Sequence, residues 1–295
     1  MNIIGHDRQR EFLGKIVSAG LPHHAFLFSG PEGIGKSLVA LEFASGLLGI
    51  PGEDASGKQD FRLIRPSSSK EGGKAGIQVG EVREAAKFLS RFPAEAPRRV
   101  LMIDDADAMS ESAQNAILKP LEEPNGTSVL ILVSSRPGAI RETIRSRSFR
   151  VPLTLVPEAV IRSGMESAFG MDAPIDVEPF FLSLGRPGIV FGALADPVRF
   201  AARRDNLRSL FRISSLSMAE RLSLSEKISE SVPEAVCLLE WWVSGLRFMK
   251  RNESDAGKLS SAFRFLEEVE GTVRTLRETN ANPRLAIDRL FLVSL

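Results

Sequence analysis

The sequence predicts an α/β fold in its first half and an all-helical remainder. Three observations carry this: a glycine-rich loop set between an apolar run and a helix, a second apolar run that ends in acids, and the loss of strand patterning beyond Val151-Pro152. The loop is Ser29-Gly30-Pro31-Glu32-Gly33-Ile34-Gly35-Lys36-Ser37, directly after Ala25-Phe26-Leu27-Phe28. It reads G-x-x-x-x-G-K-S, the pattern of a phosphate-binding loop. Gly30, Gly33 and Gly35 let the backbone fold tightly around a phosphate chain with its N–H groups pointing inward. Lys36 is placed to reach the β- and γ-phosphates, and the Ser37 hydroxyl to meet Mg²⁺. The following helix, Leu38 to about Leu48, aims the positive end of its dipole at the same point.

Taken in order, residues 7–19 carry Phe12, Leu13, Ile16 and Val17 at helical spacing and stop at Gly20. His23 and His24 are adjacent on extended backbone, so their side chains point apart, and a structural or adenine-pocket-edge role is expected. Gly52 to Lys74 is a polar, Gly/Ser-rich excursion interrupted by Asp60–Ile64, a short strand. Glu81–Leu89 places Val82, Ala85, Ala86 and Leu89 on one helical face. Val100–Ile103 is continuously apolar and runs into Asp104 and Asp105, as a strand buried on both faces of a parallel sheet should. Ligands gather at the carboxyl ends of such strands. Asp104 therefore falls where an acid holds Mg²⁺, and Asp105 where a second acid orients attacking water; the competing reading is that they cap the helix beginning near Ser110.

That helix, Ser110–Glu123, turns Ala113, Ile117, Leu118 and Leu121 inward, and Pro120 inside it should strain the carbonyl of Ala116 and produce a kink or an early end. Ser128–Val133 is the next strand, with Ser134 and Ser135 at its end, either to bond a γ-phosphate or simply to terminate it. Arg136, Arg141, Arg145, Arg147 and Arg150 crowd the stretch that follows, either as a solvated basic surface or to present an arginine to a phosphate. Past Val151-Pro152 the pattern is helical: 160–169, 179–184, 189–194, 199–211, 218–229, 233–250, 258–280 and 283–295. Arg199, Arg203, Arg208 and Arg212 lie roughly along one helical side, and Trp241-Trp242 reads as core or interface.

Composition sets the outer bounds. Balanced charge, 38 basic against 37 acidic side chains, argues against a uniformly basic nucleic-acid binder. One cysteine, Cys237, and three histidines leave no multi-cysteine zinc site. No apolar stretch of about 18 residues is present and the first residues lack a signal-peptide pattern, so a cytoplasmic location without a membrane partner is expected.

Several segments together, in one order, resemble the delta-prime subunits of the bacterial DNA polymerase III clamp loader: His24–Lys36, Asp60-Phe61, Ile77–Arg83, Ile103–Asp107, Asn115–Lys119, Leu121-Glu122-Glu123-Pro124 and Thr143–Arg147. The resemblance implies an AAA+ subunit with a nucleotide-binding core at 1–153, a helical lid at 154–197 and a helical collar at 198–295. It implies a ring shared with gamma/tau and delta subunits, acting on the sliding clamp and primed DNA. ATP or ADP with Mg²⁺ would lie against Gly30, Gly33, Gly35, Lys36, Ser37, Asp104 and Ser134. The arginine that this family offers in trans to a neighbour's ATP maps to Arg147, in Ser146-Arg147-Ser148 where the family has Ser-Arg-Cys. Other positions depart from the pattern. The zinc module's cysteines are missing from Gly52–Lys74, Asp105 replaces the usual glutamate, and Gly188 stands at the lid-arginine position, with Arg186 two residues away. The expectation is a subunit that binds nucleotide but hydrolyses it poorly. The competing readings are a motor ATPase of gamma/tau type, a structural ring member with a vestigial loop, and an unrelated P-loop NTPase.

Overall fold

The computed structural model describes residues 3–20, 23–67, 76–169, 185–195, 197–249, 256–279 and 281–293. The helix expected at 179–184 lies outside them. Five strands, β1 (Ala25–Ser29), β2 (Phe61–Ile64), β3 (Arg99–Ile103), β4 (Ser128–Ser134) and β5 (Phe149–Pro152), form one sheet in the order β2-β3-β4-β1-β5. All four pairings are parallel, so every carboxyl end opens on the same edge. Helix α1 (Asp7–Ala19) precedes β1; parallel neighbours need crossovers, and the helices between strands supply them: α2 (Lys36–Leu47), α3 (Val79–Leu89), α4 (Glu111–Ala116), α5 (Leu118–Glu122) and α6 (Glu142–Arg145).

Strand alternation sorts the core into two layers. Phe26 and Phe28 of β1, Val100 and Met102 of β3, and Val129, Ile131 and Val133 of β4 pack on one face with Leu13 and Ile16 of α1 and Val39, Phe43 and Leu47 of α2. The alternate residues, Ala25, Leu27, Leu101, Ile103, Leu130 and Leu132, meet Val82, Ala85 and Leu89 of α3 and Ala113, Ile117 and Leu121 on the other face. Burial on both faces explains why these strands read as unbroken apolar runs.

Two features differ from the sequence reading. The short strand expected at 60–64 is present but belongs to the core and not to an excursion from it: β2 pairs with β3 from Phe61↔Val100 to Ile64↔Ile103 and forms the edge of the main sheet. At the opposite edge β5 pairs with β1. It is short, and Arg150 and Pro152 on its outer side are exposed, which hides it in a basic stretch. The proline expectation holds. The helix stops at Ala116, the backbone departs at Ile117 (φ −93°, ψ −4°), and a separate turn carries Pro120.

The chain divides into two compact units. The first contains the sheet, α7 (Glu158–Phe169) and Gly185–Gly188; the boundary falls within α8 (Pro187–Ala195). The second holds α9 (Pro197–Phe211), α10 (Met218–Ser229), α11 (Val232–Met249), α12 (Ala256–Glu278) and α13 (Pro283–Val293). Ser217 and Glu220 start α10 with a reciprocal capping box. Trp242, buried to 1% exposure, is the centre of this unit's core, with Phe265 edge-on at 5.0 Å and Phe291 at 6.3 Å. Trp241 is buried in the same cluster. Arg208 meets Asp205, whereas the side chains of Arg199 and Arg203 lie outside the described residues.

Candidate nucleotide site

The loop between β1 and α2 has the shape its glycines suggest. Gly33 and Gly35 take φ of 80° and 96°, in the left-handed region that glycine enters without a Cβ penalty. Gly30 is held by proximity: a Cβ there would lie 2.3 Å from the carbonyl oxygen of Leu153, which follows β5. Gly35 caps α2 without any side chain, leaving the first N–H groups of that helix facing the loop.

Lys36 curls over this cradle. Its ammonium donates to the Pro31 carbonyl and to Ser135 Oγ, both at 2.9 Å. Burial pulls its pKa below the usual lysine range, against the opposing pull of Asp105, Glu32, Asp107 and Asp104. Ser37 Oγ donates to Asp104 Oδ1 at 2.6 Å, so the two groups expected at Mg²⁺ come together from helix and strand. The cradle and this pair fit a nucleotide phosphate chain with its divalent cation. Gly30, Gly33, Gly35 and Lys36 would hold the phosphates; Ser37 and Asp104 would hold the metal.

Strand order decides the rest of the site. β4 lies between β1 and β3, so its tip stands between the loop and Asp104. Ser134, expected at the phosphate, is fully buried and donates instead to Asp107 Oδ1 at 2.7 Å. Ser135 is the hydroxyl that reaches Lys36. Asp107 also accepts from the Ser135 N–H at 3.1 Å and from Arg136 Nε at 2.9 Å. Burial alone would raise the Asp107 pKa, but the Ser134 hydroxyl and the Arg136 guanidinium carry it below the ordinary aspartate range.

Asp105 adopts a left-handed backbone (φ 51°, ψ 49°), which non-glycine residues rarely enter. Its side chain reaches the surface. Partial withdrawal of this strand end from solvent, and then the carboxylates of Asp104 and Asp107, hold its pKa above the usual range. The helix-cap reading belongs to another residue, since Ser110 accepts from the Ala113 N–H at 3.2 Å and caps α4.

Gly188 donates its N–H to the Gly33 carbonyl at 2.7 Å. A Cβ at Gly188 would sit 2.8 Å from that oxygen and 3.1 Å from Gly33 Cα. An arginine therefore has no room at this position, and the backbone of 188 rests directly on the loop. Gly188→Ala is expected to cost about 1–3 kcal/mol, the scale of forcing a methyl into a filled space, read as a lower denaturant midpoint. Arg186 beside it is buried.

Three further contacts were not foreseen. Arg65 Nε meets Asp104 Oδ2 at 3.3 Å. His6, in left-handed conformation before α1, lies with Nε2 2.8 Å from the Ile34 carbonyl in the loop, and burial lowers its pKa. His24 Nε2 lies 3.0 Å from the Leu121 carbonyl, while the His23 ring packs on Phe149 at 5.0 Å, which is structural work. The basic stretch after β4 is mostly ion-paired: Arg141 with Glu111, Arg145 with Glu142, and Arg147 with Glu122 at 3.2 Å.

A parallel sheet in this order, with the phosphate loop leaving β1 and the acids leaving β3, defines a P-loop core of the AAA+ type. A family model described as "DNA polymerase III, delta subunit" matches residues 5–156, and the chain belongs to that family. It is 35% identical over 138 residues to DNA polymerase III subunit delta' of Pseudomonas aeruginosa, covering 42% of this chain and 41% of that one. It is 28% identical over 175 residues to subunit gamma/tau of Mycobacterium tuberculosis, covering 55% and 29%. The matches thus span less than half of each of these relatives. A solved gamma subunit-related protein of Thermotoga maritima superimposes with a TM-score of 0.58 at 20% identity, over 97% of this chain and 98% of that one, a likeness of fold. No described helix is long and apolar enough to cross a membrane.

Proposed function

We propose that this chain is a subunit of a DNA polymerase III clamp loader, working in a ring with gamma/tau- and delta-type subunits to place a sliding clamp on primed DNA. In this reading it has a core, lid and collar divided near 153 and 197, binds ATP or ADP with Mg²⁺ in its own loop, and hydrolyses it slowly. Its main catalytic contribution is Arg147, offered to the nucleotide of a neighbouring subunit.

The observation that carries the reading is the placement of Arg147. Its side chain is 41% exposed, and its guanidinium contacts Glu122 of α5 and the Thr143 carbonyl of α6. These are groups away from the chain's own phosphate loop, so the side chain is available to a partner. Slow hydrolysis is supported by Asp105, a short acid on a left-handed backbone, and by Gly188, where no lid arginine fits. The intact cradle supports binding and disfavours a vestigial loop.

Binding and turnover are separable in the isolated chain. A fluorescent ADP analogue is expected to bind, and Lys36→Ala to weaken it about 10- to 100-fold, the scale of one charged hydrogen bond. ATP turnover by the isolated chain is expected to stay far below that of a gamma/tau motor subunit. Comparable turnover would make the motor reading the better one, and absence of binding would return the loop to a structural role.

A further inference from the structure

β2 and β3 run parallel with Ile64 opposite Ile103, and the Asp104 N–H donates to the Ile64 carbonyl at 2.9 Å. Residues 65 and 104 therefore leave the carboxyl edge of the sheet side by side, placed by the ladder itself. The Asp104 side chain is 11% exposed, and its two oxygens are divided between two partners. Oδ1 accepts from Ser37 at 2.6 Å and Oδ2 faces Arg65 Nε at 3.3 Å. Farther along the same edge Asp107 is matched by Arg136, and Lys36 is engaged by Pro31 and Ser135. Arg65 is thus the cation held against the carboxylate that a nucleotide's metal would use.

We propose that Arg65 is a built-in counter-ion at the metal position of this site, so that the chain binds nucleotide with little dependence on magnesium. The proposal rests on the reading of the loop as a nucleotide site. A guanidinium keeps its charge at all working pH values and forks readily onto phosphate oxygens. With no divalent ion present, Arg65 neutralises Asp104, which would otherwise repel the phosphate chain, and stands ready to donate to it. Ser37 and Asp104 would hold Mg²⁺, and Arg65, already held against that carboxylate, would compete for it and lower the metal's affinity by like-charge repulsion. Arg65 is free to yield: its side chain is 58% exposed and moves aside without opening the core. Charge and register therefore tie residue 65 to the metal requirement of the site.

The test is titration of the full chain with a fluorescent ADP analogue, in excess Mg²⁺ and in EDTA, for wild type, Arg65→Gln and Arg65→Lys, with Mn²⁺ binding followed by electron paramagnetic resonance. Wild type is expected to show a Kd in EDTA within about 3-fold of that in Mg²⁺, and Arg65→Gln a difference of about 10-fold or more, as one removed charge interaction allows. Arg65→Lys should lie between them, and Mn²⁺ should bind Arg65→Gln more tightly than wild type. A surface ion pair of merely structural use would leave the EDTA-to-Mg²⁺ ratio unchanged in Arg65→Gln, which would overturn the proposal while nucleotide binding stood. If no variant bound nucleotide in either buffer, the nucleotide reading would fail first and this one with it.

Discussion

Replacing Arg147 with alanine in a reconstituted clamp-loader ring, with clamp and primed DNA present, is expected to lower ATP turnover by about 10³-fold or more, the effect of an arginine supplied in trans to a phosphoryl transfer. The expectation depends on a charge that is positioned but not consumed within its own chain. Arg147 comes just after Ser146, the cap of α6, and its N–H is bonded to the Ile144 carbonyl at 3.2 Å, so its backbone is fixed by the last turn of that helix. The guanidinium rests on Glu122 at 3.2 Å with both side chains well exposed. Such exposed pairs contribute only about 0.2–1 kcal/mol, so a partner's phosphates can draw the arginine away at little cost. Arg147→Lys should recover only part of the loss, because an ammonium lacks the planar fork. Glu122→Ala should leave turnover unchanged or higher, since it releases the side chain. Unchanged turnover with Arg147→Ala would reduce the residue to a surface ion pair and move attention to the chain's own loop.

What could be read directly from the chain was local. The phosphate loop is contiguous, its glycines and Lys36-Ser37 fill every position of the motif, and the helix after it begins where the motif places it. Asp104 was equally visible, because an apolar run ending in acids implies a buried parallel strand whose carboxyl end faces the ligand. What depended on strand order was hidden. Ser134 and Ser135 are adjacent in sequence, yet β4's place between β1 and β3 gives Ser135 to Lys36 and Ser134 to Asp107. Arg65 carries no signal in its polar stretch, although its place beside Asp104 follows once β2 is known to pair with β3. The obstruction at Gly188 is a contact between residues far apart in the chain, and no local pattern encodes it. Arg147 was marked by family resemblance alone; spacing by itself does not distinguish it from the other arginines around it.

The pairing that puts Arg65 beside Asp104 is anchored at the opposite end of the same two strands. Asp60, 2% exposed, precedes β2, and Arg99, 6% exposed, opens β3. Asp60 Oδ1 accepts from Arg99 Nη2 at 2.7 Å and from the Ala94 N–H at 2.8 Å. Oδ2 accepts from the N–H groups of Glu95 and Ala96 at 2.8 and 2.9 Å. The Arg99 guanidinium also lies 4.7 Å from the Phe88 ring centre. Removing one member of a buried ion pair strands the other, so Asp60→Ala is expected to cost about 3–5 kcal/mol, or about 10 °C in Tm. The pH dependence has a definite sign. Burial alone would raise the Asp60 pKa, but the three backbone N–H groups and Arg99 overcome it and hold the carboxyl far below the usual range. With the folded pKa depressed, the stabilisation is complete above the unfolded value of about 3.9 and is lost as pH falls below it toward the folded value. Thermal melts of wild type and Asp60→Asn should therefore differ most near neutrality and converge as the pH drops under about 4. A gap that stays constant down to pH 3 would mean that Asp60 is not the group whose protonation loosens this edge of the sheet.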